Sequence, residues 1–596
     1  MKQLLALFLI PLACFAQQPI YTNVQKDSNG NITSSLNIGS GQTLSVNGGS
    51  LTLNTGTIAL TGGTFSTSGT SVNLNGWAVG STTITGSGSV NQSAGTVATV
   101  AAMEALTVAN LANGNTVDVA GYRANADGGG GQFVYLSGST ATVDGGTIFA
   151  PNSGSGRFIR NYAGPLHTKW FGCYGDNSHS DATAFQAAVT ASANNILFID
   201  PGAYLIGSTI TLPVSIHILG PSMRGSQSGS SSTGANLIAT FAGPVLSFNP
   251  GSSMFADIEM EHFQITGNAG TYGSGDGVFF GTNVAGGGFM HNMTVSAFGR
   301  YGLNISSAGG FYAKDVYSAQ NTTANFYNKA EYAKYENCQG DGSTYTMYVD
   351  NGGDGTNIIG PIFEGAGTSE IYTVSGATDV CVLGGNINMT AGGIGVDSNA
   401  NGLRCLGVKI KGSTASSTGV YLSSTSASNI VLGNTINIGG ASSIGVDDEG
   451  SGQDTIGGGL VSGGATGLKL NPSTYPDTLV SGTFAGPTNS VLQSGGSVIY
   501  AGWYDNGSGG YKQPTISGGT AFSLAVKGTF TCVAGAATVS NSFAKTNCDI
   551  TFTMVTPGGT ITFPPAIQTF TSGTGFTVQA GSGDTSTYQY TIINNL

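Results

Sequence analysis

Between Asn195 and Ser473 the chain alternates apolar and polar residues in short runs, and the runs return at a near-constant interval. One recurring unit is an apolar residue followed by a variable one, most often after glycine. It ends at Phe279, Asn304, Tyr327, Tyr348, Tyr372, Asp397, Tyr421, Asp447 and Lys469, at intervals of 21 to 26 residues. A second series, Ser296, Ser318, Gln339, Glu364, Asn388, Lys411, Gly439 and Ser462, keeps the same uneven period. Alternation within a run reads as a strand, and a repeat of this length reads as one turn of a repeat protein. Leucine-rich repeats share the length, but the LxxLxLxxN pattern is missing and no helix signal falls between the runs. The pattern therefore predicts a parallel β-solenoid. Each coil pairs with the coils before and after it, inward residues stack into one column, and unequal loops are absorbed at the corners.

The flanks read differently. Residues 31–97 alternate with period two but hold few apolar residues, which suits short strands stabilised by copies of themselves, a trimeric β-stalk. Residues 99–163 offer a short helix and several strands, a small α/β module. At the head of the repeats, Asp181 precedes the apolar run 182–190, which reads as a helix capping the first coil, with Phe185 as its plug. Asp176 and Asp181 are taken as turn and cap residues. The organisation expected is a signal peptide (1–16), the stalk (17–98), the module (99–163), the solenoid (164–490), a linker (491–519) and a C-terminal β-sandwich (520–596).

Composition narrows the function. Only 8% of residues are charged and 97 of 596 are glycine, with a net charge of −12, which argues against nucleic acid and anionic membranes as partners. A neutral, polar surface suits a glycan. Lys2, the apolar run 4–12 and Ala16 have the layout of a secretory signal, and no later stretch is long enough to span a membrane. Neither HExxH, GxSxG nor a phosphate-binding loop is present, and the seven cysteines form no CxxC. Cys532 and Cys548 flank an expected hairpin and could pair, while Cys338, Cys381 and Cys405 read as small buried hydrophobes. No cofactor is expected. The run Asp447–Glu449 is compatible with a calcium-binding corner but reads more simply as a solvated turn.

The stretch WFGCYGDNSHSDATAFQAAV, followed by LFIDPGAYLIGSTITLP, resembles the opening of pectate-lyase-like right-handed β-helix proteins. In that superfamily FGAxGDGxxDDTxAxQxA leads into a strand, a P-G-x-Y turn and the next strand. Ser180 stands where those proteins usually have Asp. The segments DGGGGQF and GRFIR look like the module that precedes the β-helix in phage tailspikes and surface depolymerases, and the C-terminus resembles small β-sandwich domains of phage tail proteins. The resemblance implies an all-β, right-handed parallel β-helix in a homotrimer that binds, and in many members cleaves, a bacterial surface polysaccharide. Such a protein acts outside the cell, as a virion tail component or as a secreted protein.

The superfamily's catalytic motifs are not carried over, since the polygalacturonase N-T-D, D-D, G-H-G and R-I-K set is not intact and no compact Asp cluster is evident. Candidates come from geometry. Strands of adjacent coils lie about 4.8 Å apart, so carboxylates at equivalent positions fall near the separations glycosidases use. Glu364 stands in the second series, with Glu370 and Asp397 as candidate partners. A position that accepts Tyr, Asp, Asn and Lys faces outward, so Tyr327, Tyr348, Tyr372 and Tyr421 form a wall suited either to stacking on sugar rings or to packing against another solenoid. Gln339 and Asn388 flank Glu364 as polar substrate contacts. Hydrolase, lyase and binding-only roles all remain open on these residues.

Overall fold

In the computed structural model the described residues are 93–594, apart from 223–233, 272–273, 413–415, 472–476, 481, 486–488, 494–497, 501–503, 506–514, 517–524, 542–543, 545 and 547. The expected signal peptide, and the stalk as far as residue 92, lie outside the described residues.

The predicted small module is a five-stranded sheet, with Ser93–Val97 parallel to Thr116–Val119 and then Gly131–Leu136, Arg157–Arg160 and Ile148–Phe149 antiparallel. Helix Val100–Glu104 packs on it through Val100 and Met103 against Phe133 and Phe158. The glycine run now has a reason. The buried Arg160 guanidinium donates to the carbonyl oxygens of Gly129, Gly130 and Gly146 at 2.6–3.0 Å. A Cβ on Gly131, whose φ is +150°, would stand 2.5 Å from Arg160 Nη1. Burial lowers the Arg160 pKa to about 10, and its charge rests over the rings of Phe133 and Trp170. Trp170 opens the solenoid, so this side chain ties the module to the first coil.

The repeats form a parallel β-solenoid with three strands per coil, gathered into two 14-stranded sheets and one 13-stranded sheet. Face one runs through Ile196–Phe198, Asp257–Glu261 and Lys334–Glu336, face two through Gly202–Ile206, Gln264–Thr266 and Ile362–Glu364, and face three through Tyr301–Ile305, Tyr345–Val349 and Ser369–Thr373. Inward Val, Ile, Leu, Met and Phe side chains make one continuous core from Leu166 to Val491. In the nine coils from Asp257–Glu261 to Thr455–Gly457, faces one and two are joined by only two residues. That tight corner requires a left-handed residue, which recurs at His262, Asn292, Asp315, Asn337, Gly360, Gly384, Gly407, Gly433 and Gly458, with φ between 51° and 69°. The coils run past the expected end at 490: Val498–Tyr500, Tyr504–Asp505 and Thr515–Ile516 pair onto the three sheets, so the segment expected as a linker holds strands.

The predicted cap is present as helix Ala182–Ala191, with Phe185 fully buried and edge-to-face on Tyr204. Asp181 occupies the N-cap position without capping it. Its carboxylate turns instead to the backbone N–H groups of Tyr174 and Gly175 and fixes the Gly-Asp turn. Asp176 accepts from the backbone of Ser178 and His179, as a turn residue does.

The C-terminal part contains two three-stranded antiparallel sheets, one centred on Thr587–Asn594 and one on Gly575–Gln579, around Phe530, Val539, Phe576, Tyr588 and Ile592. This is the expected sandwich. Cys532 and Cys548 do not pair. Cys532 follows and Cys548 begins a strand flanking the same central strand, but Cys532 lies by Ser586 and Cys548 by Asn594, eight residues and about 27 Å along it. Cys338 and Cys405 are buried as read, and Cys381 is half-buried.

Candidate functional site

The first series falls on one register line of face three: Phe279, Asn304, Tyr327, Tyr348, Tyr372, Asp397, Tyr421, Asp447 and Lys469 are successive partners. The tyrosines make the expected wall. Tyr301 stacks on Tyr327 at 4.5 Å, Tyr327 on Tyr348 at 5.6 Å, and Tyr348 leans on Tyr372 at 5.1 Å. Tyr345, one position over, packs on both Tyr348 and Tyr372. All are half-buried, with an edge or face left to solvent. Tyr327 donates its hydroxyl to Asp350, and burial with nearby acids raises the Tyr348 hydroxyl pKa to about 12. Further along, acids and tyrosines alternate. Asp397 sits between Tyr372 and Tyr421, accepts from Ser369 Oγ at 3.1 Å, and is held above the usual carboxylate range by burial. Lys469 closes the line with ion pairs to Asp447, at 3.0 Å, and to Glu449.

The second series needs a correction of register. Ser296, Glu364, Asn388, Lys411 and Ser462 share one register line on face two, buried at its start and open to solvent from Asp341 on, but the remaining members are Ala319, Asp341 and Asn437, not Ser318, Gln339 and Gly439. Ser318 is one residue off and points inward, and Gln339 occupies the other outward line of its strand, beside Ile362. The neighbour of Glu364 one coil back is therefore a second carboxylate, Asp341. Burial and the Glu364 charge both raise the Asp341 pKa. Asn388 reaches Glu364 on the other side, at 3.4 Å.

Glu370 is not on this surface. It points into the solenoid, 1% exposed, where its carboxyl accepts from Thr346 Oγ1 at 2.6 Å and the Ala366 N–H at 3.0 Å. It is a buried acid behind the corner rather than an outward partner for Glu364. Nor, among the described residues, does a hydrogen bond or ring contact join the tyrosine line to Glu364. The two lines remain separate stripes on either side of the corner 365–368.

A third cluster escaped the sequence reading. His217, Glu259 and His291 lie near one another on face one, in successive coils, with Glu261 on the same strand as Glu259 and His262 in the following corner. His217 Nε2 is 2.9 Å from Glu261, His262 Nδ1 is 2.9 Å from Glu261, and His291 Nε2 lies 3.1 Å from Glu259 and 3.2 Å from Glu261. One donor atom each of His217, Glu259 and Glu261 lie within 4.8 Å of one another, so this trio could also hold a metal ion. His291 stacks on Phe289, which stacks on Tyr312 at 4.8 Å, an aromatic platform beside the acids. In the sequence these histidines look scattered. The face-one register brings them together, and that register was not traced there.

Two segments match known families. Residues 96–163 match the family model of the phage tail protein small four-stranded β-sheet domain. Residues 524–593 match the C-terminal domain of the K1 capsule-specific polysaccharide lyase. The resemblances read at both ends of the chain are thus borne out. Within the five-stranded sheet of this segment, the four strands from Thr116 to Arg160 pair antiparallel and Ser93–Val97 pairs parallel at the edge. No curated protein matches the chain in sequence. Among solved structures it is similar to the mannuronan C-5 epimerase AlgE6 A-module of Azotobacter vinelandii, with 14% identity over 56% of this chain and 99% of that one and a TM-score of 0.42. It is also similar to tailspike protein 2 of Escherichia coli O157:H7 bacteriophage CAB120, with 13% identity, 83% and 71% coverage and a TM-score of 0.46. A third is tailspike protein gp49 of Acinetobacter baumannii bacteriophage Fri1, a capsular polysaccharide depolymerase, with 10% identity, 84% and 98% coverage and a TM-score of 0.36.

The buried Glu370 sets a pH dependence. Desolvation pushes its pKa up from 4.5 to about 7. The unfolded chain releases this proton near pH 4.5 and the folded chain holds it to about pH 7. Its contribution to stability is therefore full below pH 4.5, falls as pH rises through 7, and then levels off. Glu370→Gln is expected to remove this loss. In denaturant titrations the variant's advantage over the unaltered protein should grow between those two pH values and reach on the order of 1–3 kcal/mol above them; an advantage independent of pH contradicts the assignment.

Proposed function

We propose that this chain is a tailspike-type protein of a virion tail that binds a bacterial surface polysaccharide along its solenoid and cleaves it. The observation that carries the reading is the pairing of a phage tail module before the solenoid with a K1-lyase-type C-terminal domain after it. The solenoid between them offers what a long glycan requires. It has a line of tyrosine rings at the spacing of the coils, and a polar line with two adjacent carboxylates across the corner. Stacking on the rings of Tyr327, Tyr348, Tyr372 and Tyr421 holds the chain. Gln339 and Asn388 supply hydrogen bonds on the second face, and Glu364 with Asp341 supplies the acid and base. Asp397, set among the tyrosines, is a second carboxylate within the binding line. No helix of the described residues is long and apolar enough to cross a membrane.

A panel of purified capsular and O-antigen polysaccharides, assayed for new reducing ends and for unsaturated products, tests the function and separates hydrolase from lyase. On the substrate so found, Glu364→Gln is expected to slow cleavage about 10²–10⁴-fold with little change in binding. Tyr348→Ala or Tyr372→Ala should weaken binding by about 0.5–1.5 kcal/mol per lost stacking contact. A second reading rests on the His–Glu cluster of face one, where two carboxylates and three imidazoles adjoin an aromatic platform. If Glu364→Gln keeps full activity while Glu259→Gln and Glu261→Gln lose it, cleavage belongs there.

We also propose a parallel homotrimer. Residues 31–97 have too few apolar side chains for a private core. The C-terminal domain exposes Met554, Val555, Ile561, Phe563, Ile567 and Phe570, an apolar set that a second and third copy would cover. Light scattering on the full chain should return three times the 59.9 kDa chain mass, and a monomer mass would refute the assembly.

A further inference from the structure

Asp448, Asp454 and Asp477 converge inside the last coils of the solenoid, with exposures of 0%, 0% and 1%. Asp448 ends the face-three strand Ile444–Asp448, Asp454 precedes the face-one strand Thr455–Gly457, and Asp477 begins the next face-one strand one coil on. Each carboxylate uses one oxygen in the same way. Asp448 Oδ1 accepts from the Gly450 N–H at 2.9 Å, Asp454 Oδ1 from the Asn429 N–H at 2.7 Å and its side-chain amide at 2.9 Å, and Asp477 Oδ1 from the Asp454 N–H at 3.2 Å. The other oxygen of each, Oδ2, is buried without a hydrogen-bond partner. One carboxylate oxygen from each residue lies within 4.8 Å of the other two.

Three buried carboxylates this close together in an apolar interior are costly unless a proton or a metal cation lies between them. Among the described residues no Lys or Arg forms an ion pair with them. Lys469 pairs outward with Asp447 and Glu449, so the run Asp447–Glu449 is split by the strand's alternation, its first and third residues outside and Asp448 inside. Space is kept free as well. A Cβ on Gly450 would stand 2.5 Å from Asp454 Oδ2, 2.9 Å from Asp448 Oδ1 and 3.2 Å from the Ser426 carbonyl oxygen, so this glycine leaves the cradle open. Burial holds all three carboxyls above the ordinary Asp range.

We propose that Asp448, Asp454 and Asp477 bind a hard divalent cation, calcium or magnesium, that staples the last coils of the solenoid. The donor set is oxygen only, which selects these ions over zinc or copper. Three carboxylate oxygens, one from each residue, form the core of the shell. The ion joins the turn 449–454 to the coils on either side of it, just inside the end of the outward tyrosine–aspartate line.

The test uses the full chain. After treatment with EGTA and EDTA and reloading with CaCl2 or MgCl2, the protein is expected to retain one ion per chain through gel filtration, read by atomic emission, and to melt at a higher temperature with the ion than without. Gly450→Ala and Asp454→Asn should lose both the retained ion and the ion-dependent shift, whereas Asp447→Asn, outside, keeps both. If Asp454→Asn fails to fold, ion retention by the unaltered protein and by Gly450→Ala decides. An unaltered chain that retains neither ion and melts identically with and without it overturns the proposal, as does a Gly450→Ala chain that retains the ion in full.

Discussion

The hydrogen bonds between one coil and the next set everything that this solenoid presents to solvent. Parallel pairing fixes the distance between coils at about 4.8 Å and admits one register. A side chain's neighbours above and below are then whatever the chain holds about one period earlier and later. Tyr327, Tyr348 and Tyr372 stack because they are register partners, and the Glu364 charge helps raise the Asp341 pKa for the same reason. The surface is thus written in lines across the coils, and a loop that lengthens at a corner shifts no line.

This explains what the sequence made legible. The face-three line could be traced residue by residue because its inward neighbours are strong markers: Leu303, Phe326, Met347, Ile371, Val396, Val420 and Val446 are all fully or almost fully buried and hold the phase. Face two drifted by one or two residues at Ser318, Gln339 and Gly439. Its strands are often only three residues long, and small residues such as Gly340 occupy inward positions where a large apolar marker would have shown the phase. Glu370 was misplaced for a related reason. A polar residue two places before an outward tyrosine reads as outward, yet in the strand Ser369–Thr373 the adjacent Glu370 and Ile371 are both turned in, and Thr346 together with the Ala366 amide satisfies the carboxyl there.

The His–Glu cluster and the aspartate trio were illegible for a different reason. Metal and acid–base signatures are usually sought as short spacings along the chain, whereas here the spacing runs across coils. His217, Glu259 and His291 are 42 and 32 residues apart in sequence and one coil apart in space. Asp454 and Asp477 are 23 residues apart and adjacent. A solenoid turns its period into proximity, so a search for chemistry in such a chain must step by the period of each face separately.

The low charge of the chain sharpens the argument. With only 30 acidic and 18 basic residues in 596, carboxylates that gather do so against the average, and each gathering has a different physical resolution. Outside on face three, Asp447 and Glu449 are neutralised by Lys469. On face one, Glu259 and Glu261 are met by three histidines, His217, His262 and His291. On face two, Asp341 and Glu364 have an amide beside them and, among the described residues, no ion pair, and burial together with the Glu364 charge makes Asp341 hold its proton more tightly. The two carboxylates stand one coil apart on a line that runs across the corner from the tyrosines and parallel to them.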